Sequence, residues 1–214
     1  MSAVPVEAEK GNAPRSRKGA ATRARLVEAA KAVFEDVGFL DARVSDIADR
    51  AGLSHGSFYH YFDSKEQVFR EVAQAIDREL SAGMALILDR ESTASPQERL
   101  TAALRLHFEG YRREARMMRV IEQMSRHDEE VRQMRSEHQL AHGRKVADSI
   151  RQLQRHGMAD TSVDAELAAA AVGSMTWRFA EQWLIEGYPE VDFDIGVEQF
   201  TRIFMNALQL RDRP

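Results

Sequence analysis

The chain has 214 residues, 43% hydrophobic and 30% charged, with a formal net charge of −4 and no cysteine. That balance describes a globular protein able to bury a core, as one domain or as a small domain joined to a larger one. It excludes disulfide and thiolate chemistry and leaves any metal dependent on histidines and carboxylates.

No run approaches the roughly 18 apolar residues that cross a bilayer, the most apolar stretch being the short AELAAAAVG at Ala165–Gly173. The start also lacks the apolar segment of a signal peptide, so a cytoplasmic protein without membrane contact is expected. The net charge hides a gradient. Met1–Arg25 carries six Lys/Arg against two Glu, which leaves the remainder near −8. A basic arm on an acidic body, or a merely solvated disordered tail over residues 1–18, accounts for it.

From Ala21 onward the apolar positions recur at helical spacing and no period-2 strand appears, so the fold class is all-α, with about nine helices. Leu26, Ala30, Val33, Phe34 and Val37 line one face of a first helix that Gly38 stops. A short second helix carries Val44, Ile47, Ala48 and Ala51 before Gly52, and a third runs from an N-cap at Ser54 to near Tyr61. The fourth opens with the capping-box pattern Ser64-Lys65-Glu66-Gln67 and is expected to continue through Phe69, Val72, Ile76, Leu80 and Ile87.

Ser95-Pro96-Gln97-Glu98 is a second capping box, with proline where its missing N–H costs nothing. Its helix shows the stripe Leu100, Ala103, Leu104, His107, Phe108, Tyr111. The Met-rich ARMMRVIEQM follows, then a long helix from about Asp128 to Gly157 through Val131, Met134, His138, Val146, Ile150 and Leu153. Two helices close the chain. One has the stripe Ala168, Val172, Met175, Thr176, Phe179, Trp183, and the other Val197, Phe200, Ile203, Phe204, Leu208.

Two short helices joined by AGLS have the form of a helix-turn-helix, whose second helix enters the DNA major groove. So short a helix needs anchors, because isolated helices of that length are marginal in water. Phe58 and Phe62 share a face and supply them, leaving Tyr59 and His60 to point elsewhere. Gly56 and Ser57 keep the groove-facing surface small, and flanking charges sit at Arg15, Arg17, Lys18, Arg23, Arg25, Arg43 and Lys65. Lys65 is also placed beside a helix N-terminus, whose amides favour phosphate.

The segments TRARLVEAAKAVFEDVGF and VSDIADRAGLSHGSFYHYFDSKEQV make about residues 20–70 resemble the tetracycline-repressor (TetR) family of bacterial transcription regulators. The resemblance implies a DNA-binding domain at 19–79 and a helical ligand-binding and dimerisation domain at 80–214. It also implies a homodimer on a palindromic double-stranded operator, with readers about one DNA turn apart, roughly 34–36 Å or a multiple. Effector binding would move helix four. Carried over by position, the DNA contacts are Arg43, Ser45, Ser54, His55, Gly56, Ser57, Tyr59, His60 and Lys65, although Arg43 stands where the family often has threonine. The dimer would form through the last two helices, with Val172, Met175, Phe179, Trp183, Phe200, Ile203 and Phe204 at the interface.

The middle helices would enclose a small hydrophobic or aromatic effector. The candidates to line its site are His107, Phe108, Tyr111, Met117, Met118, Ile121, Met124, Met134, His138 and Trp177. For His107 and the methionines, plain core packing remains the other reading. GLSHG at Gly52–Gly56 is a literal Gly-x-Ser-x-Gly, but a hydrolase elbow needs a strand entering the turn, and VSDIADRA is amphipathic helix. His138 and His142, four apart, lack a third metal-ligating partner in any zinc pattern. No catalytic residue, metal or cofactor is therefore expected.

Overall fold

The computed structural model describes residues 17–88 and 93–211. Most of the basic tail, Arg15 included, lies outside them. The described residues form ten helices and no strand. These are α1 (Arg17–Asp41), α2 (Val44–Arg50), α3 (His55–Phe58), α4 (Lys65–Leu80), α5 (Met84–Leu88), α6 (Pro96–Arg113), α7 (Ala115–Ser125), α8 (Glu129–Arg155), α9 (Ala165–Leu184) and α10 (Phe193–Ala207). The helix expected to run from Ser64 to Ile87 is two. At Gly83 the backbone approaches α6 so closely that a Cβ would stand 2.6 Å from the Ala103 carbonyl oxygen, which requires a glycine there.

The chain divides into two compact units, one ending at Gln74 and the other beginning at Ala75. In the first, Leu26, Ala30, Phe34, Ile47, Ala48, Phe58, Val68 and Phe69 are fully buried. Phe34, Phe39 and Phe69 meet one another with centroids 4.9–5.6 Å apart. Gly38 ends the regular part of α1 with φ 77° and ψ 174°, a conformation open essentially to glycine alone. Ser64 Oγ accepts from the Gln67 amide at 3.2 Å, as the capping box requires, but Gln67 reaches back to the amide of Asp63, one residue earlier than expected.

In the second unit α6 packs against α5, α9 and α10, and α8 packs against α7 and α9. Its helices start on side-chain caps. Ser95 and Glu98 complete the reciprocal box, while Asp128, Asp164 and Asp192 accept from the first-turn amides of α8, α9 and α10. An aromatic cluster joins α6, α9 and α10: Phe179 stacks on Phe200 at 4.8 Å, Trp183 stacks on Phe193 at 5.5 Å, and Phe108 sets its edge against both Trp183 and Phe200.

Candidate functional site

The first unit builds a presentation surface around α2 and α3. Ala51 ends α2, and Gly52 turns the chain with φ 65°, the left-handed conformation that the tight connection needs. Arg25 donates to the Ala51 carbonyl and so ties α1 to this turn. Ser54 caps α3 by accepting from the Ser57 amide at 3.2 Å, and the two hydroxyls share a hydrogen bond of 2.8 Å. The helix proper ends at Phe58, with Tyr59–Tyr61 held in consecutive turns because Phe62 must fold back into the core. Phe58 and Phe62 are buried with rings 5.6 Å apart, which anchors the segment. Tyr59 remains 47% exposed, its ring edge-to-face with that of His55 at 5.3 Å. His55, Gly56, His60 and Arg43 are also exposed, while Ser45 and Ser57 are half-buried.

Lys65 is placed differently from its expected role at phosphate. Its ammonium donates to the carbonyls of Phe39 at 2.7 Å, Ala42 at 2.8 Å and Leu40 at 3.3 Å, and lies 4.5 Å above the Phe39 ring. An ammonium has three N–H groups, and here each has a backbone acceptor. The side chain therefore closes the carbonyl end of α1. Arg23 is similarly occupied, paired with Glu71 and stacked on Phe62.

The second unit contains a cavity of about 770 Å³. Its apolar walls come from Leu80 and Met84, from Leu100 and Leu104 of α6, from Val146, Ile150 and Leu153 of α8, from Val172 of α9 and from Phe204 of α10. His107, His142, Ser149, Thr176 and Trp177 place polar groups among them. His107 is buried, and its Nδ1 stands 3.2 Å from the Leu80 carbonyl oxygen. A carbonyl only accepts, so Nδ1 carries the proton and Nε2 presents a lone pair. That Nε2 is buried and has no hydrogen-bond partner among the described residues. Burial lowers the His107 pKa to about 4, so the ring is neutral near pH 7. Burial, followed by the neighbouring His138 and Lys145, also lowers that of His142.

Residues 26–72 match the family described as bacterial regulatory proteins, tetR family. The HTH-type transcriptional repressor KstR2 of Mycobacterium tuberculosis is 29% identical over 188 residues, 87% of this chain and 92% of that one. The KstR2 of Mycolicibacterium smegmatis is 40% identical over 90 residues, 42% of this chain and 43% of that one. This chain belongs to the TetR family. The fold agrees: the fatty acid degradation regulator FadR from Bacillus halodurans superposes with a TM-score of 0.69 at 20% identity, over 89% of this chain and 97% of that one. TetR-family proteins are transcription regulators, and the Gly52–Gly56 sequence sits, as expected, at a helix-to-helix turn rather than after a strand.

Within this TetR-family chain the expected effector residues separate into two groups. His107 and Trp177 line the cavity, with ring centroids 5.1 Å apart and edge-to-face. Phe108, Tyr111, Met117, Met118, Ile121 and Met124 do not line it and are buried in packed core, where α6 and α7 meet their neighbours. Met134 and His138 lie away from it as well. His138 Nε2 shares a hydrogen bond of 2.9 Å with Ser81, beside the buried Asp77 and the Arg135–Glu122 pair at 2.7 Å. Burial raises the Asp77 pKa, against the lowering effect of His138 and Arg135.

The residues expected at the dimer interface differ in exposure. Val172, Trp183, Phe200 and Phe204 are buried within their own unit, Val172 and Phe204 lining the cavity, and Met175 and Phe179 are half-buried. Of that set only Ile203 is largely exposed, at 53%. The strongest apolar stripe of an amphipathic helix faces its own core. The sequence reading also missed Ile150 and Leu153 as cavity walls, because their i, i+3 spacing on α8 has the same signature as core.

Proposed function

We propose that this TetR-family protein is a repressor that binds a palindromic operator as a dimer and is released by a small, largely apolar effector. The observation carrying this reading is the separation of two tasks in one chain. Exposed His55, Tyr59 and His60 lie on or just after a short helix anchored by Phe58 and Phe62, and exposed Arg43 stands at the start of α2. The chain also encloses a cavity of about 770 Å³, inside the size range of small-molecule sites. Tyr59 and His55 are assigned to base edges and sugar, and Arg43 to phosphate. Lys65 acts through position, by holding the carbonyl end of α1. Residues 19–79 are assigned to DNA binding and 80–214 to ligand binding and dimerisation, while the division into compact units falls within α4, between Gln74 and Ala75.

Dimerisation is assigned to the outward faces of α9 and α10, where Leu167 is 69% exposed and Ile195 and Ile203 are 52% and 53% exposed. Ala170, Ala171 and Ser174 on the same side of α9 are exposed and small, which suits close helix packing. The test is selection from a random DNA pool by the full-length protein at near-physiological salt. An enriched palindrome supports the reading; salt-sensitive binding without sequence preference refutes it.

A further inference from the structure

Several polar side chains on the cavity wall offer a ligand an acceptor, while Arg99, Gln152 and the Trp177 indole supply donors elsewhere on it. His107 donates through Nδ1 to the Leu80 carbonyl, and its buried Nε2 has no partner among the described residues. Ser149 Oγ donates to the carbonyl of Lys145 at 3.0 Å, and Thr176 Oγ1 to that of Val172 at 2.7 Å. His156, also on the wall, pairs Nδ1 with the carbonyl of Gln152 at 2.7 Å. For His107, Ser149 and Thr176 the side chain's proton is given to a backbone carbonyl, and what remains for a ligand is a lone pair.

We propose that the cavity recognises an uncharged, largely apolar molecule through a hydroxyl that donates to His107 Nε2. The assignment rests on the reading of this cavity as the effector site and specifies the chemistry of what enters it. A carboxylate or phosphate at the same point would set lone pairs against a lone pair, and an ether or alkyl group would leave Nε2 buried without a donor. A cation is disfavoured by the same low-dielectric surroundings that keep His107 and His142 neutral. The Trp177 ring stands nearly perpendicular to that of His107, with centroids 5.1 Å apart, and adds an aromatic side chain to the same part of the wall.

Three matched probes test this: 4-nonylphenol, its methyl ether 4-nonylanisole, and 4-nonylbenzoate, each titrated against the full-length protein by tryptophan fluorescence. The phenol is expected to bind about tenfold more tightly than the ether, the difference made by one buried hydrogen bond, and more tightly than the benzoate. In His107→Phe, which keeps a ring of similar size, the gap between phenol and ether should close to within about twofold. His107→Gln retains an acceptor oxygen and should keep part of the gap, with circular dichroism confirming that both variants are folded.

Equal affinity for phenol and ether in the wild type, the outcome if a water serves Nε2 in both complexes, overturns the proposal. Tightest binding of the benzoate, a gap that survives in His107→Phe, or no binding of any probe does so as well. Operator release is scored separately. A phenol that binds with the expected preference yet leaves the protein on its DNA would refute the effector reading while the hydroxyl assignment stands.

Discussion

Replacing Lys65 by methionine separates the two roles that this side chain has been given. The substitution keeps the aliphatic stem over Phe39 and removes the ammonium, leaving the carbonyls of Phe39, Leu40 and Ala42 without their donor. Hydrogen bonds to a charged group contribute about 1.5–3 kcal/mol each, but the three share one ammonium and the carbonyls regain some water. A net loss of about 2–3 kcal/mol follows, including about 0.5–1 from the cation over the ring. Set against a typical total of about 5–15 kcal/mol, that is a large fraction. Hydrogen exchange at the buried amides of α1, with Phe34 and Phe39 as reporters, should accelerate roughly 30-fold, the factor for about 2 kcal/mol. The salt dependence of DNA binding by the folded variant should keep its slope, since no phosphate contact is lost. Unchanged protection together with a salt slope smaller by about one would refute the structural role and return Lys65 to the DNA backbone.

Gly196→Ala should destabilise the second unit by about 2 kcal/mol in urea denaturation, although the same change in an open helix would gain about 1. The added methyl overlaps the six-membered ring of Trp183, which is fixed between Phe193 and Phe179, so an equal or higher midpoint would contradict this packing. The folded-state pKa of His107 lies at about 4, below its ordinary value of 6.5, so the unfolded chain takes up the proton first as pH falls. The stability held by the neutral ring is therefore complete above about 6.5 and is lost as pH drops toward 4, at most about 3 kcal/mol in all. Relative to wild type, His107→Phe should flatten the decline between pH 7 and pH 5; parallel profiles would show that His107 does not titrate as described. Asp77, whose pKa is raised, acts in the opposite sense and is common to both proteins.

The helix-turn-helix was legible because local rules and long-range packing agree there. Gly38 and Gly52 need positive φ, Ser54 and Ser64 cap the helices that follow them, and Phe58 and Phe62 share the one face that the short helix buries. The site was less legible. A side chain that lines a cavity and one that fills a core obey the same helical spacing, so Ile150, Val172 and Phe204 could not be told from Phe108 and Met118. Periodicity also reports only the buried side of a helix. It led to Trp183 and Phe200 as interface residues, whereas Leu167 and Ile195, which fall outside the stripes that were read, are exposed and apolar. For Lys65 the missing information was tertiary, since its acceptors lie more than 20 residues earlier in the chain. His107 kept both of its readings, core and pocket. The structure joins them: the residue lines the cavity, its Nδ1 is held by the Leu80 carbonyl, and its buried Nε2 has no partner among the described residues.

The central claim, that α3 and the turn after it read DNA, is tested most directly by Tyr59→Ala on the selected operator and on a scrambled duplex at one salt concentration. Tyr59 is exposed and its ring touches Phe58 only at an edge, so its removal should leave the fold and the oligomeric state unchanged. Operator affinity should fall about tenfold or more, with scrambled-duplex binding reduced far less, so that the specificity ratio falls. An unchanged ratio would contradict that claim and would remove this surface as the reader.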